Sequence, residues 1–222
     1  FPDAEIIHST FYNDKQAVQN DENDFYKLHN INLILSEDPG ALSFHAPNLN
    51  RQIVTGAAGI HAAQNKWVCK IRNDMIFYNQ NILNFLFDKD GEDECPCNFV
   101  GRPRVIISHF YTIHPMAHSS DLNFHPGDWF YLGHKDALLK LRDVPLIKEE
   151  ELRNKQGEIA YRIEQYMFIK AIQIHHNPQV DITHQHDMSQ RELAYQYMFD
   201  NFIVKKPIDL GWFNSKYPQS NL

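Results

Sequence analysis

Residues 67–74 read WVCKIRND. The run opens on residues that favour a strand, Trp67, Val68 and Cys69, and closes on charge. In a strand, alternate side chains share a face, so Lys70, Arg72 and Asp74 project to one side. Three charges on one face of a buried strand are costly unless they are paired or used. Two readings follow. One is a local salt-bridge network. The other is a carboxylate beside cations, which can hold a divalent ion and a diphosphate together. Cys69, inside the apolar part of the run, reads as a buried thiol.

Strand and helix signals alternate around this run. Ala4–Thr10 (AEIIHST) and Ile31–Ser36 (INLILS) read as strands, the second stopped by Glu37-Asp38-Pro39-Gly40, since Pro-Gly marks a turn. From Asn48 to Asn65 the apolar residues recur at helical spacing, with Asn48 as N-cap. Asn79–Asp88, Asp136–Leu141, Lys148–Lys155, Ile163–Ile174 and Gln190–Asn201 read as further helices. Arg104–Tyr111 and Asp128–Leu132 read as strands. Strands alternating with helices over short turns predict a mostly parallel sheet flanked by helices, with a small C-terminal helical part. In such sheets ligands bind beyond the carboxyl ends of the strands, where some of Asp38, Asp74 and Asp128 are expected to converge on one cleft.

Composition narrows the function classes. The chain has 222 residues, which favours one domain over residues 1–222. Its net charge of −7 argues against a nucleic-acid partner, which calls for a basic face. No apolar run reaches transmembrane length, and FPDAEIIHST has neither the basic nor the apolar region of a signal peptide. Three cysteines form no disulfide framework, and Cys95-Pro-Cys97 has neither zinc nor redox spacing. A reducing, cytoplasmic setting is expected, with at most peripheral attachment to a membrane. The aromatic share of 13% suits a core, and also the walls of a sugar cleft. The acidic loop Asp88–Asn98 reads as solvated, because DKDGED lacks the spacing of a calcium loop.

Several other residues could carry chemistry. Arg51, opening a helix after the Pro-Gly turn, makes an anion site or a capped surface helix. In Phe124-His125-Pro126-Gly127-Asp128-Trp129, Asp128 enters an apolar strand beside a tryptophan, which suits base catalysis, acceptor recognition or a plain turn cap. Glu164, at a helix start, is favoured by the dipole and could also take a proton from a hydroxyl. His184, His186 and Asp187 could ligate a metal, the constellation of a metallohydrolase. The glycine-rich and nucleophile motifs of dinucleotide oxidoreductases, P-loop kinases, α/β-hydrolases and zincins are absent from the sequence.

In order along the chain, FPDAEIIHST, SEDPG, NLNRQIVTGAAGIHAA, KWVCKIRND, FHPGDWFYLGHKDAL and IEQYMF resemble the WavE-type lipopolysaccharide-synthesis proteins, which look like glycosyltransferases of the GT-A fold. The resemblance spans roughly residues 1–205. It implies a Rossmann-like GT-A domain that moves a sugar from a nucleotide-diphosphate donor to a glycan or lipid-linked acceptor in surface polysaccharide synthesis. It places Lys70, Arg72 and Asp74 at the donor diphosphate, with Asp74 as ligand to Mn2+ or Mg2+. Asp38 and Arg51 would hold the nucleotide side, and His125, Asp128 and Trp129 would face the acceptor. Glu164 would be the base of an inverting reaction, with Asp128 the second choice. Two departures stand out. Arg72 occupies the position where a second acid often stands, which puts metal dependence in question. The family's upstream strand, ending in a Gln-Gly-Pro-like turn, is not in this sequence. The competing reading is a non-catalytic nucleotide-sugar or carbohydrate-binding module on the same fold.

Overall fold

The structure is a computed structural model that describes residues 4–22, 24–42, 48–87, 95–117 and 121–214. Its first half runs β1 (Ile6–Phe11), α1 (Lys15–Glu22), α2 (Phe25–Leu28), β2 (Ile31–Ser36), α3 (Leu49–Ala62), β3 (Trp67–Ile71) and β4 (Met75–Phe77). A 3₁₀ segment, Asn81–Phe87, leads to β5 (Val105–Ser108), β6 (Phe130–His134) and α4 (Lys135–Arg142). A second, Glu149–Leu152, precedes α5 (Ile163–His175), α6 (Arg191–Asn201), β7 (Phe202–Lys205), α7 (Pro207–Leu210) and β8 (Trp212–Asn214). Most of the acidic loop expected at Asp88–Asn98, residues 88–94, lies outside the described residues.

The fold is mixed α/β, and the expectation of a mostly parallel sheet is corrected. β1 and β2 pair in parallel as a two-stranded sheet. The four-stranded sheet has the order β3-β6-β5-β7, with β6 antiparallel to both neighbours and only β5–β7 parallel. The reason is the connection. A parallel return needs a crossover element across the sheet face, and the described residues between β5 and β6 contain no helix or strand. The C-terminal part is not merely helical either, since β7 joins this sheet beside β5 and β8 pairs with β4. The helices expected at Asn79–Asp88 and Lys148–Lys155 are short 3₁₀ segments.

Alternation along the strands sorts the side chains onto two faces. Val105, Ile107, Tyr131 and Phe202 face one core with Leu138 and Leu141 of α4 and Phe168, Ile169 and Ile172 of α5. Ile106, Phe130 and Leu132 face a smaller core with Met75, Leu210 and Trp212. α5 buries Tyr166 through Ile169 together with Ala171 and Ile172, apolar nearly all round, as a central helix must be. Each large apolar side chain so buried contributes roughly 1.5–3 kcal/mol.

α3 bridges the β1–β2 sheet and the four-stranded sheet. It packs on β1, β2 and β3, and Gly59 lets it approach β1, because a Cβ there would meet Ser9 Cβ at 3.2 Å. At the opposite end of α3, Asn50 exchanges two 2.9 Å hydrogen bonds with the backbone of Ile147. Gln64 N, ahead of β3, donates to Glu5 Oε2, ahead of β1, at 2.8 Å, so the two strands start side by side. β3 is the outer strand of its sheet, and Cys69 on it is exposed rather than buried. The Cys69 side chain alternates with Lys70 and so projects from the face of β3 away from α4 and α5. All three thiols are free.

Candidate active site

The carboxyl ends of β1, β2, β3 and β5, the first turn of α3, the last turn of α4 and the residues ahead of β6 share one end of the molecule. Most residues singled out from the sequence meet there. Lys70 lies opposite Tyr131 in the β3–β6 register, on the face covered by helices. Its Nζ donates to the Asp128 backbone carbonyl and stands 4.0 Å from the Asp128 carboxylate. Asp128 is buried, at 3% exposure, and Lys70 is partly buried, at 17%. Burial pulls the Lys70 ammonium down to about 8 from its ordinary 10.5. Asp128 and Glu164 resist that drop, while Arg142 and Arg72 reinforce it.

Arg72 and Asp74 lie past the strand end and face each other. Arg72 donates two hydrogen bonds to the Asp74 carboxylate, at 3.0 and 3.1 Å. Its guanidinium also lies 4.1 Å from the Trp129 ring centre, the geometry of a cation–π contact. Tyr111 stacks on Trp129 with ring planes 2° apart. Tyr111 is half exposed and holds a left-handed backbone, φ 60°. Such a conformation is costly for a bulky residue and is commonest at functional turns.

Leu122–Trp129 is a buried loop, so its backbone polar groups need protein partners. Gln165, fully buried in the first turn of α5, donates to Asn123 O at 2.8 Å, and Asn123 Nδ2 donates to Asp187 O at 2.9 Å. Ile113 N donates to His125 O, and Gly127 N to Thr112 Oγ1. Gly127 has to be glycine, because a Cβ there would sit 2.6 Å from Phe110 O. This scaffold brings His125 Nε2 to 3.2 Å from Glu164 Oε2. His125 Nδ1 is buried without a hydrogen-bond partner.

Arg142 escaped the sequence reading. It is 1% exposed and lies between α3 and the sheet, with Cζ 5.7 Å from the Tyr131 ring. Gly56 makes room for it, since a Cβ there would meet its Nε at 3.1 Å. Nη2 donates to Gln52 O at 3.2 Å, and Nε and Nη1 have no hydrogen-bond partner. In the sequence, a basic residue closing KDALLKLR reads as a partner of the helix dipole. The only other signal was an α3 with two glycines. Asn123 and Gln165 also went unnoticed, although Gln165 adjoins Glu164 inside IEQYMF.

Asp38 and Arg51 form a separate bidentate pair of 2.8 and 2.7 Å at the end of β2 and the start of α3. Asn13 and Gly40 N also donate to Asp38, and together with Arg51, the largest influence, they hold its carboxyl well below the usual range. By contrast, His184, His186 and Asp187 form a locked turn. Asp187 accepts from Thr183 N, Thr183 Oγ1 and Ser189 N, and His186 pairs with Asp121.

The residues present do not fit a protein-built metal site. Both Asp74 oxygens face Arg72, and the described residues contain no group of three His, Cys, Asp or Glu side chains able to hold an ion. The described residues also contain no helix long and apolar enough to cross a membrane. No curated protein and no solved structure matches the chain. The family model for WavE lipopolysaccharide synthesis matches residues 1–217, and the chain belongs to that family.

Proposed function

We propose that this lipopolysaccharide-synthesis protein is a glycosyltransferase, moving a sugar from a nucleoside-diphosphate donor to a glycan or lipid-linked acceptor. The observation that carries the reading is a pair of cations, the partly buried Lys70 on β3 and the fully buried Arg142 at the end of α4. Two Arg142 nitrogens lack partners and Lys70 is depressed by burial. Lys70 has Asp128 beside it, but Arg142 has no carboxylate in ion-pair contact among the described residues, so its buried charge is suited to an incoming anion. A nucleotide diphosphate is the anion whose charge grows as the anomeric C–O bond breaks. Donors fixed in advance against that growing charge are the usual source of large rate gains.

In this reading Lys70 and Arg72 hold the diphosphate, with Arg142 behind Lys70, and the Asp38–Arg51 pair flanks the nucleotide side. Asp128 fixes Lys70 and faces the acceptor with Trp129. Glu164, oriented by His125, takes the proton from the attacking acceptor hydroxyl while the sugar–diphosphate bond breaks. These side chains supply the charge without an ion on Asp74. The alternative, a binding module without chemistry, draws on one observation, that Arg72 occupies Asp74 in place of a ligand. Release of nucleoside diphosphate from a panel of UDP-, GDP- and TDP-hexoses separates the two. A transferase releases it from at least one donor and loses release in Lys70→Met and Glu164→Gln. Wild-type release in both variants would sink the assignment, and binding with no release from any donor leaves the module.

A further inference from the structure

A cavity of about 660 Å³ opens between α6, the outer edge of β7 and the loop after β5. Its outer wall is aromatic. Tyr195 and Phe199, one turn apart on α6, lie with ring planes 25° apart and centroids 6.2 Å apart. They are 38% and 57% exposed, so part of each ring is open to the cavity and to solvent. Polar groups stand around them. The His114 ring lies 5.4 Å from Tyr195, the Arg104 guanidinium lies 5.4 Å from Phe199, and His109 and Asp121 complete the lining. The walls are fixed in advance. Arg191 donates to Pro115 O and Ala117 O at 2.5 and 2.8 Å, and Arg104 Nη1 donates to Phe199 O at 2.9 Å.

The position matters as much as the lining. The loop that forms one wall is the same loop whose Ile113 N bonds His125 O and whose Thr112 Oγ1 accepts from Gly127 N. One loop therefore separates the cavity from the His125–Glu164 pair. We propose that this cavity is a pyranoside subsite for the acceptor glycan, an inference that rests on the transferase reading. A pyranose presents C–H groups on its flat face, which suit the electron-rich faces of Tyr195 and Phe199. Its hydroxyls lie at the ring edge, where His114, His109 and Asp121 can exchange hydrogen bonds with them. An alkyl chain would leave those polar groups dry and unpaired, at a cost. Size agrees, since ligand pockets generally run to roughly 300–1,000 Å³.

The test reads glycan binding directly, with no donor present. The probes are soluble oligosaccharides released from lipopolysaccharide by mild acid, with laurate as the apolar control, followed by saturation-transfer NMR and calorimetry. Wild type should bind at least one oligosaccharide with saturation centred on one or two rings. Tyr195→Ala and Phe199→Ala should weaken it by about tenfold or more at an unchanged melting temperature, and Tyr195→Phe should restore it. The inference is overturned if no oligosaccharide binds, if the alanine variants bind like wild type, or if laurate binds and displaces the glycan. The transferase reading fails separately, on the absence of nucleoside diphosphate release, and would leave this binding result standing.

Discussion

Lys70→Met keeps the length of the side chain and removes its charge. In the folded protein burial brings the Lys70 ammonium to about 8, against 10.5 when it is free in water. The folded state therefore gives up this proton before the unfolded state does. Between pH 8 and 10.5 the unfolded chain binds more protons, so stability rises with pH through this group, contrary to the behaviour of a salt-bridged lysine. The contribution is complete above 10.5 and is lost as pH falls through 8. Its size is on the order of 3 kcal/mol, from the gap between the two values. Urea unfolding of wild type and Lys70→Met at pH 7 to 10.5 isolates it, because the other titrating groups are shared. Relative to wild type, the variant should lose on the order of 3 kcal/mol across that window. Ligand binding adds a second signature. A diphosphate on Lys70 favours its protonated form, so UDP affinity should fall above pH 8 by at most about tenfold per pH unit, and the variant should lack this slope. A stability difference that stays flat or runs the other way would refute the burial argument.

Four further outcomes are expected. Arg142→Met should leave the melting temperature unchanged or raised, because the guanidinium is buried and incompletely bonded, while UDP affinity by calorimetry falls about tenfold or more. Gly127→Ala should cost about 1–3 kcal/mol in urea unfolding, because its Cβ would strike the Phe110 carbonyl. Arg72→Ala removes the guanidinium that stands beside Asp74 and over the Trp129 ring, so UDP affinity by calorimetry should fall about tenfold or more. Asp187 is a depressed acid: burial raises it, but its bonds from Ser189 and Thr183 outweigh that. The stability it contributes is present above the ordinary carboxyl value of 3.8 and is lost as pH falls below it. Asp187→Asn should flatten the acid limb of the melting curve.

Local pattern was legible wherever one period dominated. Trp67–Ile71 and Ile31–Ser36 are strands at the expected residues, and the helical spacing after Asn48 gives α3, without the expected side-chain cap from Asn48. Ile163–His175 stood out for the same reason. Strand direction was not legible, because it depends on what crosses the sheet between β5 and β6, and nothing in DWFYL says which way it runs. β7 is four residues long and follows a helix directly, too short to carry a period of its own. At the site, Lys70 and Asp128 were visible because charge in an apolar run is costly and so conspicuous. Their direct contact joins residues distant in sequence, and no local signal encodes it. Arg142 was hidden for a related reason: its burial is decided by Gly56 on another helix.

The division of the sheet has a consequence for local opening. No residue of β1 or β2 is fully buried, whereas β5 is buried throughout and β6 nearly so. Amides of the β1–β2 ribbon should therefore exchange with solvent sooner than those of the four-stranded sheet, and as a block, since each strand is the other's only ladder among the described residues. The Asp38–Arg51 pair sits where that softer ribbon meets α3. A nucleotide held there would slow exchange along the whole ribbon, reporting on residues it never touches.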